Sequence, residues 1–170
     1  MSFIEVFDKN VVDLHMQTTT KEETIRHLSN LLKESGYIAD IEEFIKDIYV
    51  RESEGITGIG EGIAIPHGKS DSVTKIGIAV GKCEHEITWN SLDDKPVKII
   101  FLFAVSKDQY NSNHLRLLSE LAGKLGRGNT ILNLKKMNTY EELIAAFSDD
   151  ENISIEDIEE LKEEIEINME

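Results

Sequence analysis

The sequence predicts a single α/β domain in which a mixed parallel and antiparallel β-sheet lies between helical layers. Three observations predict it. Apolar stripes recur at helical spacing behind capping residues, compact apolar runs of strand length stand between them, and no repeat or low-complexity linker divides the 170 residues. The domain is assigned to residues 1–148, with 149–170 as an acidic and helical C-terminal extension.

Each element has its own signal. The alternation around Val11 to Met16 predicts a short strand. Thr20, with Glu23 three residues on, forms a capping box for a first helix carrying Ile25, Leu28, Leu31 and Leu32, and Gly36 stops it. A second helix follows Asp40, with Phe44, Ile45, Ile48 and Tyr49 on one face. Gly55 to Gly68 holds nearly half of the 11 glycines and reads as loop, with Ile63-Ala64-Ile65 as one extended piece. Ile76 to Gly81 and Val97 to Val105 read as strands. The second is almost continuously apolar, as a central strand covered on both faces should be. Trp89 and the turn Leu92 to Pro96 predict a further short strand or hairpin between them. A third helix starts near Asn113, presents Leu115, Leu118, Leu121, Ala122 and Leu125, and is closed by Gly126 and Gly128. Thr139 and Glu142 cap a fourth, with Leu143, Ile144 and Phe147 inward. Ile155, Ile158, Leu161 and Ile165 predict a last, partly docked helix behind Ser154.

The totals exclude several classes. No apolar run is long enough to cross a bilayer, and Met1 to Glu5 lacks the basic start and apolar stretch of a secretory signal. The single cysteine, Cys83, cannot form an internal disulfide. The expectation is a soluble cytoplasmic protein without membrane insertion. The net charge of -15 opposes general binding to nucleic acid or an anionic membrane. Most of that charge sits in residues 149–170, where 11 acids face one base, so the rest of the chain is near balance.

The segment richest in chemistry is Gly58-Ile59-Gly60-Glu61-Gly62-Ile63-Ala64-Ile65-Pro66-His67-Gly68-Lys69. Pro66 forces Ile65 toward extended geometry and donates no ladder hydrogen bond, so a strand should end there. His67 follows at once, and Gly68 permits a tight turn without a side chain in the way. This predicts an imidazole at a strand end, open to an approaching molecule. A neutral imidazole near pH 7 offers one ring nitrogen as nucleophile and leaves well once phosphorylated, which suits phosphoryl relay. The plain alternative is an ordinary Pro-His-Gly turn. Arg51, near the end of the second helix, has the fork geometry to bind two phosphoryl oxygens, or is a solvated arginine at a helix end. His114, at the start of the third helix, falls on the same sheet edge as His67 if their strands are parallel neighbours; otherwise it is a capping or surface histidine.

Taken together, Arg51-Glu52, Thr57-Gly58-Ile59-Gly60, Gly62 to Lys69, Trp89, Pro96-Val97, Phe101-Leu102, His114-Leu115, Leu118 and Leu121 resemble the fructose/mannitol-type enzyme IIA domains of the bacterial phosphoenolpyruvate-dependent sugar phosphotransferase system. The resemblance runs from about Val11 to Phe147. It implies a mixed sheet with helices on both sides and a phosphotransferase relay. Phospho-HPr donates to His67, and a cysteine of enzyme IIB accepts. Enzyme IIC carries the sugar, fructose-like as a first assignment, through the membrane. It implies Nε2 as the reacting nitrogen, Arg51 and His114 around the phosphoryl group, and Glu61, Gly62, Pro66 and Gly68 as support for the loop. No cofactor or metal is implied, because donor and acceptor are both proteins. One departure is Glu52-Ser53-Glu54, where many members are more continuously acidic. A regulatory enzyme IIA of the nitrogen-related branch, which signals by binding targets, would use the same histidine. A nucleotide-binding or metal site is disfavoured. Ile63 stands where the leading glycine of a Walker spacing before Gly68-Lys69-Ser70 would fall, and no zinc-like Cys/His cluster exists.

Overall fold

The computed structural model describes residues 3–108 and 115–148. Two short 3-10 helices, Phe3–Val6 and Lys9–Val11, lead into β1 (Val12–Met16). Local capping chemistry then sets the next two elements. The Thr20 hydroxyl accepts the Glu23 N–H at 3.1 Å and starts α1 (Lys21–Glu34). Gly36 at φ +81° ends it, with the Tyr37 N–H returning to the Leu32 carbonyl at 2.9 Å. Asp40 caps α2 (Ile41–Glu52) through the Glu43 N–H at 3.1 Å.

The strands are β2 (Gly58–Gly60), β3 (Ile63–Ala64), β4 (His67–Lys69), β5 (Gly77–Ile87) and β6 (Val97–Val105). They form one sheet ordered β1-β5-β6-β3-β2, with β4 also paired to β6. β1 with β5, and β3 and β4 with β6, are parallel; β5 with β6 and β2 with β3 are antiparallel. The mixed sheet is as the sequence predicts. The helices α3 (Leu115–Leu125), α4 (Gly128–Lys136) and α5 (Tyr140–Ser148) complete the order.

Alternation along the central strand explains the two layers. Ile99, Phe101 and Phe103 of β6 join Ile78 and Val80 of β5 beneath α3, α4 and α5. Ile100, Leu102 and Ala104 join Ala79 beneath Leu28, Leu32, Phe44 and Ile48 of α1 and α2. β6 is therefore covered on both faces, which accounts for its near-continuous apolar sequence.

Several expectations need correction. β5 runs on to Ile87, and residues 88–96 hold no second hairpin; Ser91 makes only an isolated bridge to Gly58. Gly128 does not close α3. It opens α4, a separate helix anchored by buried Thr130 and Leu134. The start near Asn113 and the acidic extension 149–170 lie outside the described residues. Among the described residues, no helix is long and apolar enough to cross a membrane.

The largest correction concerns the segment around Pro66. Ile63 faces Ile99 and His67 faces Phe103, so β3 and β4 keep one register along β6. They are a single line of chain broken only at Ile65-Pro66, where proline has no N–H to give. The Pro66 carbonyl still accepts the Phe103 N–H at 3.0 Å, while the Ile65 N–H turns to the Thr57 carbonyl at 2.9 Å. The chain thus pauses at Pro66 and resumes as strand, so His67 and Gly68 are strand residues and not a turn. Gly68 is needed for a different reason: a Cβ there would collide with the Phe44 ring of α2. Gly68→Ala should cost on the order of 1–3 kcal/mol by overpacking, measured by urea unfolding. Phe44→Leu should recover part of that loss. A Gly68→Ala protein as stable as the parent would refute the close-approach account.

Candidate functional site

His67 is fixed on two sides. Its Nδ1 lies 2.8 Å from the Ile65 carbonyl, two residues back. A carbonyl can only accept, so Nδ1 carries the proton, and in the neutral ring the lone pair then belongs to Nε2. The ring also stacks on Phe103, its register partner, with centroids 4.7 Å apart and planes at 12°. Both contacts follow from the interrupted strand. Resumption at His67 puts its side chain beside that of Phe103, and the break at Pro66 leaves the Ile65 carbonyl within reach.

The expected open imidazole is corrected: His67 is only 2% exposed. The stacking, the Ile65 contact and the neighbouring β6 cover most of it. What remains borders a pocket of about 240 Å³ lined by Asp47, Val50, Arg51, Glu54, Lys69 and Lys107 with His67. That volume is far more than one water needs, so a phosphoryl-sized group has room. Arg51 stands in the last turn of α2, as the sequence predicts, yet it is buried at 7% exposure and is no solvated helix-end residue. Its Nη1 donates a long 3.4 Å hydrogen bond to the Gly55 carbonyl. The fold therefore brings Arg51 and His67 to one pocket from opposite sides of a 15-residue interval, α2 supplying one and β4 the other.

The remaining sequence candidates divide. Pro66 and Gly68 sit beside His67 and shape β4. Glu61 and Gly62 do not approach it. They form the positive-φ hairpin turn between β2 and β3, at φ +58° and +77°, and lie at the opposite end of β6. There the Glu61 N–H donates to Asp93 and its carboxylate pairs with Lys135 at 2.9 Å. His114 lies outside the described residues. β4 and β6 are parallel, with Lys69 opposite Val105, so β6 ends beside the strand that carries His67.

A second cavity, about 440 Å³, is larger but sits at the Glu61 end among Lys82, Glu86, Asp93, Lys95, Lys98 and Lys135. It holds no histidine, and Lys82 is already engaged, donating to the carbonyls of Lys135 and Met137 at 2.9 and 2.7 Å. Burial, and then the neighbouring Lys98, push its ammonium down from the ordinary lysine range. Among the described residues, no group of three or more His, Cys, Asp or Glu is arranged to hold a metal ion. Of these two pockets, the smaller is the one that a histidine lines.

Sequence reasoning missed part of this site. Asp47, Val50 and Arg51 recur at helical spacing on α2, a pocket-facing stripe beside its apolar face, and Glu54 joins them from the turn just beyond the helix. Phe103 was read only as core. Glu52, Thr57 and Trp89 carry no site role in the sequence, although the Thr57 hydroxyl donates to Glu52 at 2.7 Å and the Trp89 indole donates to Thr57 at 2.9 Å.

Comparison with known proteins bears on this geometry. Residues 5–150 match the family described as phosphoenolpyruvate-dependent sugar phosphotransferase system, EIIA 2. The chain is 35% identical over 127 residues to the PTS system fructose-specific EIIABC component of Bacillus subtilis, covering 75% of this chain and 20% of that protein. It is 30% identical over 138 residues to the PTS system fructose-specific EIIA component of Haloferax volcanii, covering 79% and 89%. The chain spans about a fifth of the length of the EIIABC relatives it matches. Among solved structures, the nitrogen regulatory protein IIA-Ntr from Neisseria meningitidis superposes with a TM-score of 0.77 at 27% identity, covering 85% of this chain and 97% of that one.

Proposed function

Because the chain belongs to the EIIA 2 family of the phosphoenolpyruvate-dependent sugar phosphotransferase system, we propose that it is a cytoplasmic phosphocarrier that accepts a phosphoryl group on His67 and passes it to a cysteine. The donor is phospho-HPr and the acceptor is an enzyme IIB, which serves a membrane enzyme IIC importing a fructose-like sugar. The fructose-specific names of two relatives support that choice of sugar.

One observation carries the reading. The hydrogen bond from Nδ1 to the Ile65 carbonyl leaves the lone pair on Nε2, in a ring that borders the same pocket as Arg51. In the first step the donor's N–P bond breaks as the Nε2–P bond forms, and the donor imidazole recovers its lone pair. In the second step a thiolate sulfur takes the phosphorus and the His67 ring returns to neutral. Both steps need alignment and charge stabilisation more than covalent help. The recessed ring requires each partner to present its reacting group into the pocket, which excludes bulk water from the transfer.

The test uses the whole chain with phosphoenolpyruvate, enzyme I and HPr. We expect one acid-labile phosphoryl group per chain, located on His67 by peptide mass spectrometry, and its discharge to an enzyme IIB cysteine. No incorporation, or incorporation at another residue, overturns the site. Incorporation without transfer to any enzyme IIB overturns the transport role.

A further inference from the structure

Four side chains outside the pocket form a buried polar chain that ends at His67. Lys21, in the first turn of α1, donates to Glu52 Oε2 at 2.7 Å, and the two side chains are only 17% and 7% exposed. The other carboxylate oxygen, Oε1, accepts the Thr57 hydroxyl at 2.7 Å. Thr57 Oγ1 in turn accepts the Trp89 indole N–H at 2.9 Å, and the Lys21 ammonium lies 4.7 Å from the Trp89 ring centroid. Thr57 and Trp89 are themselves buried.

The backbone continues the chain. The Thr57 carbonyl accepts the Ile65 N–H at 2.9 Å, and the Ile65 carbonyl accepts Nδ1 of His67 at 2.8 Å. Glu52 also directly follows Arg51 at the end of α2. One carboxylate, on the residue next to the pocket's guanidinium, thus ties down Thr57, whose own carbonyl holds the Ile65 peptide that orients the imidazole. A buried ionised pair is retained at a desolvation cost, and here its remaining acceptor site is filled by a hydroxyl that is itself held from the other side.

We propose that Glu52 and Thr57, held by Lys21 and Trp89, are positioning residues that keep the Ile65 carbonyl against Nδ1 and so maintain Nε2 as the reacting nitrogen. This rests on the phosphocarrier reading for its kinetic consequence but not for its structural one. Nitrogen-15 chemical shifts of the His67 ring report the tautomer in the isolated chain, with no phosphoryl donor present. The parent should show the Nδ1–H tautomer of the neutral ring.

Thr57→Val keeps the shape and removes the hydroxyl. It should give a mixture of tautomers, and its kcat for phosphoryl acceptance should fall about 10- to 100-fold, as a small misplacement of a reacting group does. The KM for phospho-HPr should stay unchanged, because the docking surface is untouched. Thr57→Ser keeps the hydroxyl and should restore both tautomer and kcat. Trp89→Phe, which deletes the N–H while keeping a ring, should move the same readouts in the same direction, and it carries the test if Thr57→Val does not fold. The proposal is overturned if the foldable variants keep a single Nδ1–H tautomer with unchanged kcat, or if Thr57→Ser falls as far as Thr57→Val. A parent chain that accepts no phosphoryl group would sink the phosphocarrier reading alone, and the tautomer comparison would still judge the network.

Discussion

His67→Ala should reduce phosphoryl incorporation to the background of the assay, with phosphoenolpyruvate, enzyme I and HPr all present. The reason lies in what else borders the pocket. Its other described lining residues are two carboxylates, an arginine, two lysines and a valine. At neutral pH an arginine or lysine is protonated and has no lone pair to offer, and a carboxylate would form a far less stable mixed anhydride. An imidazole alone combines a neutral nucleophile with a competent leaving group. Truncation also removes a ring that stacks on Phe103 at 4.7 Å. Loss of such a pair costs about 0.5–1.5 kcal/mol beyond lost burial. His67→Gln fills more of that space and cannot be phosphorylated on a ring, so it separates chemistry from folding. It should unfold at nearly the parent temperature and remain unlabelled. Appreciable label in either variant would place the acceptor elsewhere.

How much of this could be read beforehand depended on the distance over which the cause acts. Thr20 and Thr139 were legible as caps, and Asp40 as the start of a helix, because each acts on an N–H three residues away. The strand β6 was legible because burial on both faces leaves a continuous apolar signature. Gly128 misled because a glycine after an apolar stripe is an ordinary stop signal. Only the packing of Leu134 and Thr130 shows that the chain starts again as α4. Gly68 misled similarly. Its requirement comes from Phe44 on another element, and no local pattern encodes that collision.

The candidate site divides along the same line. His67 and Arg51 were legible through their motif and its resemblance to a family, and the fold brings both to one pocket. Burial of the ring was not legible, because it depends on Phe103 lying opposite His67 across a parallel pairing. Glu61 was placed with the site as loop support, on the resemblance to the family. A strand advances about 3.3 Å per residue, so the extended run from Gly62 to His67 carries the two far apart. The network from Lys21 to Trp89 joins residues 68 positions apart, and spacing alone gives no access to it.

Arg51 carries the second large prediction. A phosphorylated imidazole holds nearly two negative charges at neutral pH, and here it would sit on a residue with 2% exposure. Such a group has lost most of its hydration and needs fixed positive charge in return. Lys69 and Lys107 border the pocket but are more exposed, Lys107 being half-exposed and paired with Asp71 at 3.7 Å. Asp47 and Glu54 oppose the incoming charge. Arg51 is the buried cation of the set, and its planar fork can meet two phosphoryl oxygens at once. Arg51→Ala should therefore lower kcat for acceptance by about 10²- to 10³-fold, the usual cost of removing one preorganised donor from a reacting oxyanion. Arg51→Lys keeps the charge and loses the fork, and should fall about 10- to 100-fold, the worth of one charge-assisted hydrogen bond. Single-turnover transfer from phospho-HPr, read alongside unfolding curves, measures each effect. An Arg51→Lys protein matching the parent would mean that a point charge suffices, and an undiminished rate in Arg51→Ala would remove Arg51 from the site altogether.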